Sequence, residues 1–141
     1  MSDDVHFILH ARLAADCREL GDLRLSRLLL MDDSRFPWCI LVPRRPGLSE
    51  LHHLAAADRT ALLDDIDAVS QALLTIPRVG KLNVGALGNV VAQLHVHVVG
   101  RHRDDAAWPG PVWGSGPAVP YTPDALAERT DALRQALGLV G

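Results

Sequence analysis

The run Gln93-Leu94-His95-Val96-His97-Val98-Val99 concentrates groups that can do chemistry. Successive side chains of an extended strand point to opposite faces. Leu94, Val96 and Val98 then share one face, and Gln93, His95 and His97 share the other. Imidazole is the side chain best suited to proton transfer or nucleophilic attack near neutral pH. A carboxamide donates and accepts at once, so Gln93 can orient a neighbour or a phosphate oxygen. Asn89 falls on the same odd-numbered phase, and Asn83 on the preceding apolar run can pair across to it. A row of uncharged hydrogen-bonding groups suits a phosphate ester; the plain alternative is a set of solvated polar residues on an open sheet face. A His-x-His pair also suits zinc or iron, but a metal needs a third ligand. No Asp, Glu or Cys lies between Leu82 and Arg103, and His102, His52 and His53 stand apart from the pair in sequence. Chemistry without a metal or cofactor is therefore the expectation.

The elements that must carry these residues follow from apolar periodicity and turn chemistry. Leu23 to Met31 and Trp38 to Val42 read as strands of a hairpin, joined through Asp32-Asp33-Ser34-Arg35 and closed by Pro43. Leu62, Leu63, Ile66, Val69, Leu73 and Leu74 recur at steps of three and four, which predicts a helix from Asp58 to Ile76. Lys81 to Ala86 and Val90 to Val99 read as two further strands around a Leu87-Gly88-Asn89 turn. Residues 5 to 13 form a short apolar lead-in. The proline- and glycine-rich stretch from 104 to 121, with Trp108 and Trp113, reads as an irregular loop. Thr122 as N-cap and Pro123 at the first position predict a terminal helix to Leu137. Strands beside strands, with helices set apart, indicate an antiparallel α+β domain spanning residues 1–141.

Composition narrows the function classes. The 141 residues are 48% hydrophobic and 22% charged, which is globular rather than disordered. Fourteen basic against 17 acidic residues give −3 at pH 7, which argues against a broad basic surface for duplex nucleic acid. The acidic Met1-Ser2-Asp3-Asp4 start does not read as a signal peptide, and no apolar run reaches membrane-spanning length. Two cysteines, Cys17 and Cys39, make no disulfide framework, so a reduced, cytoplasmic location is expected.

The motif resembles the signature of the histidine-triad superfamily of nucleotide hydrolases and transferases, in which histidine alternates with apolar residues three times. Trp38-Cys39-Ile40-Leu41-Val42-Pro43 resembles that family's strand ending in Val-x-Pro. Leu51-His52-His53-Leu54 before the long helix, and Asn83-Val84-Gly85 with Gly88-Asn89, match further parts of it. The resemblance runs over roughly residues 23 to 101. It implies an antiparallel sheet of about five strands with a long helix and a C-terminal helix, and commonly a homodimer. It implies hydrolysis of a nucleotide phosphoanhydride or phosphoramidate, with His95 attacking the α-phosphorus to form a nucleotidyl-histidine. His97 would bond phosphate oxygens or the leaving group, and Asn83 and Asn89 would help hold the α-phosphate and the strand arrangement. Asp32 or Asp33 would lie near the ribose hydroxyls, unless they are plain turn residues. Arg101 could neutralise a further phosphate, unless it is a solvated strand-end residue. Gln93 replaces the first histidine of the pattern; its backbone carbonyl can still orient His95. Trp38 stands where several members carry another histidine, and it either packs against a ligand or fills core. A non-catalytic nucleotide-binding module on the same fold is the alternative reading.

Overall fold

A computed structural model describes residues 6–139. Its elements run α1 (Ala11–Asp16), β1 (Cys17–Asp22), β2 (Ser26–Met31), β3 (Trp38–Pro43), α2 (Ala56–Leu74), β4 (Lys81–Gly85), β5 (Val96–Arg101) and α3 (Pro123–Leu137). The five strands form one antiparallel sheet in the order β1-β2-β3-β5-β4. This is the α+β architecture expected, with a long helix and a C-terminal helix.

Alternation sorts the strand residues onto two covered faces. Leu28, Leu30, Cys39, Leu41, Val96 and Val98 pack with Leu62, Val69 and Leu73 of α2 and Leu133 of α3. Leu29, Trp38, Ile40, Val42 and Val99 form the opposite face with Leu13, Phe36, Val91 and Val112. Burying each such side chain contributes about 1.5–3 kcal/mol. The second layer explains why the central strands are buried on both sides, where sequence alternation alone left one face open to solvent.

Several boundaries move from the sequence expectation. The run Leu23–Met31 is not one strand: β2 begins at Ser26, and a strand that the sequence reading missed, β1, precedes the Leu23–Leu25 bend. The cause is Asp65 on α2. Its buried carboxylate accepts from the backbone N–H groups of Arg24 (3.0 Å), Leu25 (2.9 Å) and Ser26 (2.8 Å), fixing a bend where apolar residues suggested continuous strand. The lead-in contains the short helix α1. The last strand begins at Val96, not Val90, so Gln93 and His95 lie in the irregular approach to β5. The α2 limits fall at 56–74 rather than 58–76. The α3 caps match: Thr122 Oγ1 accepts from the Ala125 N–H, Pro123 opens the helix, and Gly138 ends it at φ 68°.

Replacing Asp65 by alanine leaves three amides of a buried bend without their acceptor. Asp65→Ala should cost about 3 kcal/mol or more, read as a lower urea midpoint in equilibrium unfolding.

Candidate active site

His97 sits in the middle of the sheet, opposite Ile40 on β3 and Gly85 on β4. Glycine at 85 leaves the ring of Trp113 close room: a Cβ there would lie 3.2 Å from it. Trp113 therefore reaches over the sheet and meets His97 edge-on, with centroids 5.4 Å apart. His95 lies 5.0 Å from His97 by ring centroid, just before the strand. Both histidines are buried, at 7% and 6% exposure, not solvated on an open face.

Their ring nitrogens have different partners, and that difference assigns their chemistry. His95 Nδ1 lies 2.7 Å from the Gln93 carbonyl oxygen. A carbonyl only accepts, so Nδ1 carries the proton and Nε2 keeps its lone pair. For His97 the arrangement is reversed. Trp38 Nε1–H donates to His97 Nδ1 at 3.0 Å, which places the proton of the neutral ring on Nε2. Burial, with a smaller contribution from His95, pushes the His97 pKa down to about 4, so this ring is neutral near pH 7. The pair thus combines a basic nitrogen on His95 with an N–H donor on His97.

Two hollows meet at His95. One, of about 190 Å³, is lined by Met31, Ile40 and His97 of the sheet, by Asn89, and by Arg12 and Asp16 of α1. The second, of about 250 Å³, is bounded by Ser49, Glu50, His52 and Gly88. A substrate centred on His95 thus has room on both sides.

Of the candidate residues, the structure brings together His95, His97, Asn89 and the carbonyl of Gln93. The Gln93 side chain turns away: Oε1 accepts from the His10 N–H and Nε2 donates to the Ile8 carbonyl, each at 2.8 Å. Arg101 and Asn83 are corrected. Arg101 is 1% exposed and its donors are engaged: Asp105 takes Nε (2.6 Å) and Nη2 (2.9 Å), and Gly110 O also accepts from Nη2 (2.8 Å). Its Nη1 bonds Asn83 Oδ1 at 2.7 Å. It is therefore neither a solvated strand end nor an open phosphate ligand, and Asn83 is occupied in holding it. Trp108 covers the same guanidinium, 5.5 Å from its ring centroid. Asp32 accepts from the Tyr121 N–H (2.9 Å), and Asp33 pairs with Arg35 and accepts from the Val119 N–H. These aspartates tie down the 104–121 loop and do not line the hollows at His95. Among the described residues, no group of three His, Cys, Asp or Glu side chains could hold a metal ion.

Sequence reasoning singled out Trp38 without finding its role, and missed Arg12 and Asp16. Trp38 is a hydrogen-bond donor to His97, a role visible only once β3 is known to lie beside β5. Arg12 and Asp16 reach the hollow because α1 folds back over the sheet. A six-residue helix has too short a period to detect, and no cap pattern flags His10, whose Nδ1 accepts from the Arg12 N–H.

The His97 shift has a pH consequence. The folded protein resists protonating this ring, whereas the unfolded chain takes a proton near pH 6.5. The unfolded state therefore binds more protons between pH 6.5 and about 4, and stability should fall as pH drops through that window. Unfolding midpoints measured across it should show this loss, and the profile of His97→Gln should lack that component.

Comparison with known proteins places these features in a group. The HIT domain family matches residues 12–104. A histidine triad protein from Bradyrhizobium japonicum is 42% identical, with a TM-score of 0.90, over 93% of this chain and 98% of that one. One from Marinobacter aquaeolei is 45% identical, with a TM-score of 0.90, over 94% and 96%. One from Sinorhizobium meliloti is 39% identical, with a TM-score of 0.91, over 94% and 98%. No curated protein matches.

Proposed function

Because this chain belongs to the histidine triad (HIT) family, we propose that it is a nucleotide hydrolase acting on a phosphoanhydride or phosphoramidate through a covalent nucleotidyl-histidine. The opposed proton positions of the two imidazoles carry this reading. In the first step the His95 Nε2 lone pair attacks the α-phosphorus, and the bond from phosphorus to the leaving oxygen or nitrogen breaks. The covalent step splits one difficult displacement into two easier ones. The Gln93 carbonyl helps hold the positive charge that develops on the ring, because it already bonds the Nδ1–H. His97 Nε2–H faces the charge accumulating on phosphate or leaving-group oxygens, where a preoriented donor is worth more than in water. In the second step water attacks phosphorus, the P–N bond to His95 breaks, and the nucleoside monophosphate leaves. Glutamine in place of the first histidine is compatible with this scheme, since the contact to His95 uses a backbone atom.

The proposed chemistry predicts a trappable intermediate. Wild-type protein quenched during turnover of adenosine 5′-phosphoramidate or a dinucleoside polyphosphate should carry an adenylyl mass increment on His95. His95→Ala should lose turnover by about a thousandfold or more. Wild-type protein that binds AMP but turns over no faster than His95→Ala would instead be a nucleotide-binding module.

The same reading extends to a homodimer. β4 is a sheet edge, and its exposed Val84 adjoins exposed Leu63 on α2 across a largely apolar hollow of about 340 Å³ that includes Leu62 and Ile66. An edge strand beside an apolar helix face is a surface that proteins cover by pairing. Sedimentation should give a dimer for the wild type and a monomer for Leu63→Glu.

A further inference from the structure

The phosphate of the substrate proposed above is negatively charged, and the arginine that the sequence offered to neutralise it, Arg101, is locked into the sheet. Among the residues lining the two hollows at His95, Arg12 is the one permanent cation. Its Nε lies 3.6 Å from Asp16 Oδ2, and its side chain is 61% exposed, so the guanidinium can turn to an anion. What holds it there is unusual. α1 has six residues, too few to be stable as an isolated helix. It is anchored to the sheet by buried Leu13, and its entry is tied to the site through Gln93. The Gln93 amide bonds the chain on both sides of Leu9, as a neighbouring strand would, by accepting from His10 N–H and donating to Ile8 O. The His10 ring then caps α1 at the Arg12 N–H, 3.0 Å away. An unbroken series of contacts thus runs from the backbone of Gln93 at His95, through its side chain, to the helix that bears Arg12.

Resting on the nucleotide reading, we propose that Arg12 is the phosphate-binding cation of this site and that Gln93 is a positioning residue that clamps α1 to present it. In this account the glutamine does not merely tolerate the loss of an imidazole. Its two-ended amide holds a donor and an acceptor of the N-terminal segment together. The ligand selected is a nucleoside carrying at least one phosphate, in preference to the bare nucleoside.

Calorimetric titration with AMP and with adenosine tests this. Arg12→Ala should weaken AMP by about tenfold or more while leaving adenosine unchanged, since the charge-assisted contact to phosphate is lost. Gln93→Ala should weaken AMP selectively too, and the double variant should bind AMP no more weakly than Arg12→Ala alone, because both changes remove one interaction. Gln93→Glu keeps an acceptor for His10 but sets a carboxylate oxygen against the Ile8 carbonyl, and should behave like Gln93→Ala. Hydrogen exchange at residues 10–16 should quicken in both Gln93 variants and stay unchanged in Arg12→Ala. Additive losses, equal losses for adenosine, or unchanged exchange overturn the clamp. Undiminished AMP binding by Arg12→Ala overturns the role of Arg12 while the nucleotide reading stands. Failure of the wild type to bind AMP overturns both.

Discussion

An imidazole buried in the middle of a sheet imposes the constraint on which this site depends. With His97 at 6% exposure, protonation is costly and any ring nitrogen without a partner loses the hydrogen bond it would make in water. Trp38, one strand away, meets that demand by donating to Nδ1. Its neighbours enclose it: Ile40 and Gly85 stand beside it on the two flanking strands, and the Trp113 ring occupies the space that the glycine leaves. His95, at the mouth of the strand, is satisfied by a backbone carbonyl instead. One ring ends as a donor and the other as a base, through partners that are uncharged: an indole N–H and a backbone carbonyl.

The charged residues near β5 serve the frame. Arg101 and Asp105 form a buried pair whose geometry explains its tolerance. Burial pushes the Asp105 carboxyl up, but bonds from Arg101 and from the Ala107 and His102 backbones outweigh this and hold it below the usual carboxylate range. The Asn83 and Gly110 contacts satisfy further donors of the guanidinium, and Phe36 and Trp108 cover it. Asp32, Asp33 and Arg35 do the same for the long loop. Because that loop delivers Trp113 and Val112 to the sheet, polar residues remote from His97 contribute to its burial.

Much of this was readable in advance. The alternation at 94–98 correctly assigned Val96 and Val98 to the α2 face and His97 to the other, because strand geometry leaves a side chain only two directions. The α2 and α3 patterns and the Thr122–Pro123 start were legible for the same local reason. β1 was not: Cys17-Arg18-Glu19-Leu20-Gly21-Asp22 has weak alternation, and its pairing with β2 includes a register shift between Glu19 and Gly21. Nor was the Leu23–Leu25 bend, whose hydrogen-bonding partner lies some 40 residues further along the chain.

The division between sequence and tertiary structure follows the range of the interactions. Local periodicity and the residue run around His95 were enough to indicate an antiparallel α+β fold of the histidine triad kind and to single out two imidazoles on it. The Gln93 carbonyl two residues back, which the motif's resemblance already suggested, sets the proton of His95, but that of His97 was decided by Trp38 from another strand, which only the folded chain brings into contact. Whether an arginine faces the site or the core was decided in the same way. Arg101 sits in the motif's own strand yet is enclosed by loop and sheet, while Arg12, more than 80 residues earlier, lines the same hollow as His95. Sequence fixes which groups are available, but hydrogen-bond partners and burial are long-range properties, and these determine what each group can do.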